Sequence, residues 1–238
     1  RLHAAQQARL RFAKERQPLP NLGVYEDFRA VIHVHAEDSD HTKGTRAEVL
    51  AAAKKTGVRV VMWTDHRGPK PETWRGLREG VLFIAGSEDG SGVLRFPEYG
   101  SDGQPRTEGG LRFLSHIEER YDASSDGFVG LEICNRHSDA VLDNTPYLYV
   151  LGASIDPEKW SKIVESFRTY PDEFFAAGND YRSKFLAKWD KEIQQKPFTG
   201  IGANDAHQNQ VFQDTTFDPY EVSFRNLCTH ILARGLTE

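Results

Sequence analysis

Two histidines separated by a single residue open the part of the chain whose residue types are best suited to chemistry. His33 and His35 lie in a run of β-branched residues that predicts a short buried strand at about 29–36. Residues two apart on a strand point to the same face, so both imidazoles are expected to project together. Imidazole nitrogen is a common ligand of zinc and of other divalent transition metals. The spacing therefore indicates a metal site on this strand.

Further ligand-type side chains lie at or just beyond the ends of other predicted strands. Apolar runs predict these strands at 58–66, 81–85, 112–116, 127–135 and 198–207. Seven of the 9 histidines lie at or just past strand ends, which separately placed core or loop histidines would not produce. The candidate metal ligands are His33, His35, His41, His66, Glu88, His116, His137, Asp205 and His207.

Strands that alternate with helices would bring these scattered residues to one rim. A helix is predicted at 46–56, because Thr45 can act as its N-cap, Glu48 completes a capping box and Gly57 ends it. A second, short helix is predicted at 71–79. In βα-barrel folds the active site gathers at the carboxyl ends of the strands. The sequence therefore predicts an α/β fold in which these ends meet.

Two long stretches separate predicted strands that bear candidate ligands. Residues 89–110 are rich in glycine and are predicted to form a surface loop or hairpin beside the site, as functional lids do. Phe96, Tyr99 and Arg106 are the side chains of this segment most able to contact a ligand. Residues 138–195 are predicted to be helical and to precede the last ligand-bearing strand.

The composition narrows the classes of function. The chain has 238 residues, of which 38% are hydrophobic and 27% charged, as in ordinary soluble globular proteins. A net charge of −5 argues against nucleic-acid or membrane-surface partners. No apolar run approaches the roughly 20 residues that span a bilayer. Cys134 and Cys228 are too few for a disulfide framework or a four-cysteine metal site.

The N-terminal region is interpreted as separate from the chemistry. An amphipathic helix is predicted at 2–16, and Pro18 and Pro20 follow it. We therefore divide the chain into an N-terminal helix and linker, 1–28, and one ligand-bearing domain, 29–238. The chain begins at Arg1 rather than Met and is interpreted as a fragment or a processed product. Its localisation stays open between the cytoplasm and, after loss of a signal peptide, the periplasm or the exterior.

In their order along the chain, the ligand-bearing motifs resemble those of the polymerase and histidinol phosphatase (PHP) family. The resemblance spans about residues 30–207. It implies a distorted seven-stranded (β/α) barrel with a helical stretch before the last metal-binding strand, and a site for two or three metals. The motifs are His33-x-His35 with His41, Thr64-Asp65-His66, Gly86-x-Glu88, Ser115-His116, His137 and Asn204-Asp205-x-His207.

The resemblance also implies how the ligands divide among zinc, manganese or iron ions. A first metal would be bound by His33, His35, Glu88 and Asp205. Glu88, as a bridge, would share a second metal with His116 and His137. The third metal would be held by His41, His66 and His207.

Residues 130–135 resemble a further signature within this family. The run Gly-Leu-Glu-Ile-Cys-Asn is similar to the Glu-Ile-aromatic-Asn motif of a subgroup that contains carbaryl-hydrolase-like enzymes. Cys134 replaces the aromatic residue of that motif. Glu132 is interpreted either as a carboxylate that supports a metal ligand or as one at a loop end.

Three residues beside the ligands are candidates for direct roles in the chemistry. Asp65 could orient a ligand imidazole or accept a proton. Arg67 and Arg136 directly flank His66 and His137 and could hold a phosphate bidentately. Metal ions about 3.5–4 Å apart lower the pKa of a bridging water and clamp phosphoryl oxygens, so that no side-chain nucleophile is required.

The leading hypothesis is a metal-dependent phosphoesterase that acts on a small-molecule phosphoester through a metal-bridging hydroxide. The same hydroxide could instead hydrolyse a carbamate, an amide or a carboxylic ester. A metal-loaded binding or regulatory module without turnover is an alternative of another class. A DNA-polymerase-associated domain is the last alternative, and this acidic chain offers no sign of a DNA-binding channel. The oligomeric state is left open.

Overall fold

A computed structural model describes residues 1–17, 20, 22–66, 68, 70, 72–97, 110–137, 145–178 and 183–237. These residues contain eleven strands and seven helices. The strands are β1 (Glu26–Val34), β2 (Val60–Asp65), β3 (Gly76–Arg78), β4 (Val81–Asp89), β5 (Val93–Phe96), β6 (Leu111–Leu114), β7 (Gly130–Asn135), β8 (Thr199–Ala206), β9 (Val211–Phe212), β10 (Thr215–Thr216) and β11 (Thr229–Ala233). The helices are α1 (Leu2–Glu15), α2 (Arg46–Thr56), α3 (Thr145–Ala153), α4 (Pro157–Thr169), α5 (Pro171–Ala176), α6 (Ser183–Ile193) and α7 (Tyr220–Asn226).

Seven of the strands close into a barrel. The order around the ring is β1-β2-β4-β5-β6-β7-β8, and β8 pairs with β1 to close it. Neighbouring strands are parallel, except that β5 runs antiparallel to both β4 and β6. The strands β3 and β11 add to β4 and β1 in antiparallel pairings outside the ring. The α/β class and the seven-stranded barrel are therefore confirmed, with a mixed rather than uniformly parallel sheet; the PHP type stays a prediction.

Alternate residues of the strands divide the apolar core into two layers. Ile32 of β1 belongs to a cluster with Leu94 and Ile201 from other strands of the ring, which places it inside the barrel. Val31, the residue before it, belongs to a cluster with Val49 of α2, which covers the outside. Because side chains fill the inside of the barrel, it is a packed core rather than a pore. A site must therefore lie at one end of the barrel.

Helix α2 begins and ends where the sequence predicts. The Thr45 side chain accepts a hydrogen bond from the Glu48 N–H, and the Glu48 carboxylate accepts one from the Thr45 N–H. Gly57 takes a left-handed conformation, with φ 73°, and its N–H donates to the Ala53 carbonyl. The capping box and the glycine stop are confirmed, because both depend on residues that are neighbours in sequence.

The prediction of a helix at 71–79 is wrong. Gly76–Arg78 instead form β3, which pairs with β4 in antiparallel fashion. The connecting turn has positive φ at Glu79 and Gly80, 47° and 83°. This hairpin turn, which glycine permits, prevails over the local sequence pattern that predicts the helix.

The segment 89–110, predicted to form a surface loop or hairpin, contains the seventh barrel strand, β5, which forms a hairpin with β4. Because β5 turns back at 89–92, the turn and not the whole segment reaches the rim that carries Glu88. Of the segment predicted to lie beside the site, only this turn is therefore placed there, which corrects the expectation for the rest of its described residues. Phe96 is 1% exposed inside the barrel and cannot contact a ligand, which corrects a second expectation. Tyr99 and Arg106 lie outside the described residues.

Helices α1 and α3 to α6 lie in the regions predicted to be helical, whereas the sequence does not predict α7 (Tyr220–Asn226). Helices α3 to α6 occupy the described part of 138–195, and α1 occupies most of 2–16. Arg9 of α1 donates a hydrogen bond to the carboxylate of Glu173 at 2.7 Å, which fixes α1 against α5. The strand β1 begins at Glu26, and the division of the chain at residue 28 stays a prediction. Among the described helices, none combines the length and the hydropathy needed to cross a membrane.

Candidate metal centre

The strand ends that carry the candidate ligands meet at one end of the barrel, where a cleft of about 610 Å³ opens. Six strands of the ring run in one direction, so their carboxyl ends share this end of the barrel. His33 and His35 are fully buried and approach Glu88, which lines the cleft. The other candidates that line the cleft are His41, His66, His116, His137, Asp205 and His207.

A β-bulge at His33 turns this residue of β1 toward the cleft, which His35, just past the end of the strand, also approaches. The pairing of β1 with β2 and with β8 shifts register between Ile32 and Val34, and His33 has φ 65°. In a regular strand Ile32 and His33 would face opposite sides, but the bulge lets Ile32 fill the barrel while His33 approaches Glu88. The rings of His33 and His35 lie 5.1 Å apart, so the prediction that they project together is confirmed.

Left-handed backbone conformations recur at the ligands. His116 and Asp205 have φ 50° and 46°, as His33 does in the bulge. The donor atoms of these three side chains lie within 4.8 Å of one another. Non-glycine residues adopt positive φ at a cost in free energy, so the surrounding barrel must hold these three in place. The positions of the donor atoms thus depend on locally strained backbone.

Glu88 lies between imidazole rings, and its two carboxylate oxygens face different histidines. Its Oε1 is 2.7 Å from Nε2 of His116. Its Oε2 is 3.1 Å from Nε2 of His33, 3.3 Å from Nε2 of His66 and 3.7 Å from Nε2 of His35. A carboxylate offers two oxygens to its surroundings, whereas an imidazole presents one nitrogen to a site. The position of Glu88 is therefore suited to a bridge between two cations.

Asp205 tests whether a metal fits these residues. Its buried Oδ1 lies 3.3 Å from Nε2 of His35, 3.4 Å from Nε2 of His33 and 3.4 Å from Nδ1 of His207. This oxygen accepts no hydrogen bond from the described residues, whereas Oδ2 accepts one from Asn135 at 3.2 Å. A buried carboxylate oxygen without a hydrogen bond is costly unless a cation compensates it. The nitrogen and oxygen donors around it suit zinc, manganese or iron.

The described residues form three overlapping triplets whose donor atoms lie within 4.8 Å of one another. His33 and His35 each belong to two triplets, so neighbouring cations would share their surroundings. His41 and His137 line the cleft but belong to none of these triplets of described residues. The His137 ring lies 5.0 Å from that of His207. The triplets are His33, His35 and Glu88; His33, His116 and Asp205; and His35, His66 and His207.

Glu132 forms hydrogen bonds with two of the candidate ligands, His33 and His116. It is fully buried, and its Oε1 lies 2.5 Å from Nδ1 of His33. Its Oε2 accepts hydrogen bonds from the backbone N–H of His116 at 2.7 Å and from the Asn135 amide at 2.9 Å. A carboxylate on the outer nitrogen of a histidine fixes the tautomer and the orientation of a metal ligand. Of the two interpretations of Glu132, the structure favours support of a ligand.

Asp65 acts on His35 through a hydroxyl group. The Ser39 hydroxyl donates to Oδ1 of Asp65 at 2.8 Å and lies 3.0 Å from Nδ1 of His35. Because Ser39 uses its proton toward Asp65, Nδ1 of His35 must donate, which leaves Nε2 unprotonated and able to bind a cation. The same hydroxyl accepts from the backbone N–H of His66 at 3.1 Å. Asp65 thus orients the imidazole of a candidate ligand, as one of its predicted roles requires, but does so through Ser39.

Charges within the cluster are strongly coupled in the metal-free protein. Burial opposes a charged His116, but the hydrogen bond to Glu88 and the charge of Asp205 outweigh it and raise the pKa of His116 to about 9. Burial opposes a charged Glu88 too, yet the neighbouring His33 and His116 hold its pKa well below the usual range. Burial lowers the pKa of His207 to about 4, so its ring is neutral. Metal binding would displace the protons that the cluster holds.

The structure places the two predicted phosphate-binding arginines differently. Arg67 lies outside the described residues. Arg136 is buried, with its guanidinium carbon 4.0 Å from the centre of the Phe175 ring and a hydrogen bond to the Phe175 carbonyl at 3.2 Å. It is absent from the described residues that line the cleft. Its role in binding phosphate stays a prediction that these contacts do not favour.

Two residues near the ligands are missing from the candidates that the sequence indicates. Ser39 lies in a turn-forming run, and nothing in a single sequence signals its contact with Asp65. Arg120 lines the cleft and follows His116 by one helical turn, with its N–H donating to the His116 carbonyl at 3.1 Å. A basic residue four positions after a candidate ligand is a signal that could have identified it.

Comparison with known proteins identifies no family for the chain. No family model matches the sequence, and no curated protein matches it. A function for this chain must therefore be inferred from the side chains that meet in the cleft.

Proposed function

We propose that this protein is a metal-dependent phosphoesterase that uses two or three divalent transition-metal ions. The observation that carries the proposal is the position of Glu88, whose two oxygens face different imidazoles. Two cations held side by side by a bridging carboxylate are typical of enzymes that cleave phosphoesters. The three overlapping triplets of donor atoms support more than one cation.

Some side chains at the cleft would bind the metals, and others orient the side chains that bind them. When bound, divalent metals would supply Lewis acidity, acidify a water molecule and neutralise phosphoryl oxygens. His33, His35, Glu88 and Asp205 would hold them at the floor of the cleft, and His116 would hold them at its wall. Glu132 and Ser39 keep the ligand nitrogens directed inward. The cleft of about 610 Å³ is within the range of small-molecule sites, which supports a small phosphoester as substrate.

We further infer that the chain is a member of the PHP family. The ordered motifs that resemble this family supply most of the residues around the cleft. The closed seven-stranded barrel agrees with the fold that the resemblance implies. Membership would explain why ligands so far apart in sequence reach one site.

Metal analysis combined with a substrate panel tests the proposal. We expect two or three ions per chain after loading with zinc or manganese, and hydrolysis of p-nitrophenyl phosphate that EDTA abolishes and manganese restores. Faster hydrolysis of p-nitrophenyl acetate would favour the carboxylic-ester alternative. Stable metal binding without turnover of any substrate would favour the binding module, and at most one ion per chain would contradict the proposed site.

A further inference from the structure

Arg120 is held at the wall of the cleft by the turn that follows His116. The N–H groups of Glu119 and Arg120 donate to the His116 carbonyl at 3.0 and 3.1 Å, which forms one helical turn. The backbone N–H of His116 is itself fixed by Glu132 at 2.7 Å. The position of Arg120 is therefore tied to that of a candidate ligand.

A glycine makes room for the Arg120 side chain. Gly92, in the turn between β4 and β5, has φ 78°, and a Cβ there would lie 2.6 Å from Nε and 2.7 Å from Cδ and Cζ of Arg120. The guanidinium thus lies directly against the backbone of this turn, beside the lining residues Asp89 and Gly90. This close packing limits the directions in which the guanidinium can point.

The charge of Arg120 is poorly compensated. Among the described residues, the one carboxylate within 4.0 Å of it is that of Glu119, at 4.0 Å, and the Arg120 side chain is 29% exposed. Its buried Nη1 donates no hydrogen bond to the described residues. Among the described residues that line the cleft, Arg120 is the single lysine or arginine, whereas Asp40, Glu88, Asp89, Glu119 and Asp205 are acidic. A guanidinium in such a place is suited to an anion that enters from solvent.

We propose that Arg120 binds a non-bridging oxygen of the substrate and selects phosphomonoesters, whose phosphoryl group is dianionic. This inference rests on the proposed phosphoesterase function. A monoester has three non-bridging oxygens, so one remains for a guanidinium when metals neutralise the others. The cleft's five lining carboxylates would repel a dianion at any place other than the metals and Arg120. Arg120 is a specificity-determining residue that the sequence motifs do not include.

The test uses calorimetry to measure how tightly the manganese-loaded protein binds inorganic phosphate, so that it does not depend on activity alone. We compare the wild type with Arg120→Met, Arg120→Lys and the control Arg112→Met, whose guanidinium lies 4.9 Å from the Phe128 ring centre and is not among the described cleft-lining residues. We expect Arg120→Met to weaken phosphate binding about tenfold or more, since it removes a charge-assisted hydrogen bond. The phosphate affinity of Arg120→Lys should lie between those of the wild type and Arg120→Met, and that of the control should match the wild type. The metal content of all variants should stay unchanged.

Kinetics then separate this inference from the proposed function. Arg120→Met should raise KM for p-nitrophenyl phosphate more than for the neutral p-nitrophenyl acetate. Phosphate binding that depends on Arg120 in a protein that hydrolyses no phosphoester would support the anion site and contradict the phosphoesterase. Unchanged phosphate binding in Arg120→Met, loss of metal from this variant, or no phosphate binding by the wild type would each overturn the role of Arg120.

Discussion

The Nδ1 atom of His33 lies 2.5 Å from the carboxylate of Glu132, a residue 99 positions away in the chain. A carboxylate can only accept, so Nδ1 carries a proton, and Nε2 is the nitrogen that can exchange its own proton for a cation. That Nε2 lies 3.1 Å from Glu88 and 3.4 Å from Asp205. One buried carboxylate behind the site thus determines which nitrogen of His33 is available to a cation.

Replacing Glu132 by glutamine is expected to weaken the metal site without removing a ligand. In the wild type, donors from His33, His116 and Asn135 share the two carboxylate oxygens of Glu132. The glutamine amide offers only one oxygen, so at least one of these donors loses its acceptor. We expect metal affinity to fall about 10–100-fold, as for other residues that support metal ligands. Competition with a chromophoric chelator measures it, with the exposed Glu158→Gln as the control. Wild-type affinity in Glu132→Gln would show that His33 does not need this acceptor.

Replacing Glu88 by glutamine is expected to reduce both metal content and rate. The amide keeps the shape of Glu88 but loses the charge and one acceptor oxygen that face His33 and His116. Elemental analysis and p-nitrophenyl phosphate hydrolysis measure the two effects. Glu119→Gln makes the same change at another lining residue and should keep its metals. If Glu88→Gln stayed within about twofold of wild type in both measurements, the bridging role would be wrong.

The metal-free protein is expected to lose stability between pH 7 and about pH 9.5. The pKa of His116 is 6.5 in the unfolded chain and about 9 in the fold, so its protonation stabilises the fold fully below pH 6.5. That contribution disappears as the pH rises through 9. Burial opposes a charged His33, but the charges of Asp205, Glu88 and Glu132 outweigh it and raise the pKa of His33 as well. We expect the free energy of unfolding in urea to fall by about 1–3 kcal/mol.

His116→Gln provides the control for this pH dependence. The variant lacks the titrating ring, so the decrease between pH 7 and 9.5 should be smaller in it than in the EDTA-treated wild type. Constant or rising stability of the metal-free wild type over this range would contradict the assigned direction of the shift.

Tyr220 is expected to stabilise the strand end that carries His35. Its buried hydroxyl donates to the His35 carbonyl at 2.6 Å, and a Cβ on Gly44 would lie 2.3 Å from this hydroxyl oxygen. We expect Tyr220→Phe to lower the free energy of unfolding by about 1–2 kcal/mol, because a buried acceptor loses its donor. Gly44→Ala should lower the free energy of unfolding by more than Tyr220→Phe does, since its methyl group would displace the Tyr220 ring. Tyr25→Phe, at a site 47% exposed, is the control, and equal stability of Tyr220→Phe and this control would refute the prediction.

Local patterns along the chain are sufficient to identify the residue types of the site and their places at strand ends. Apolar runs mark most of the barrel strands, and the ends of α2 follow from Thr45, Glu48 and Gly57 alone. These features can be predicted because periodicity and capping depend on residues within a few positions of one another. The set of candidate ligands therefore follows from the sequence alone.

How these residues meet depends instead on contacts between segments that are distant in the chain. The reversal of β5, the bulge at His33 and the contact between His33 and Glu132 all join such segments. A four-residue strand such as β5 has too weak a pattern to be distinguished from a loop until its neighbours pair with it. The left-handed backbone at His33 persists because the packed barrel holds it, which no local preference of histidine would achieve.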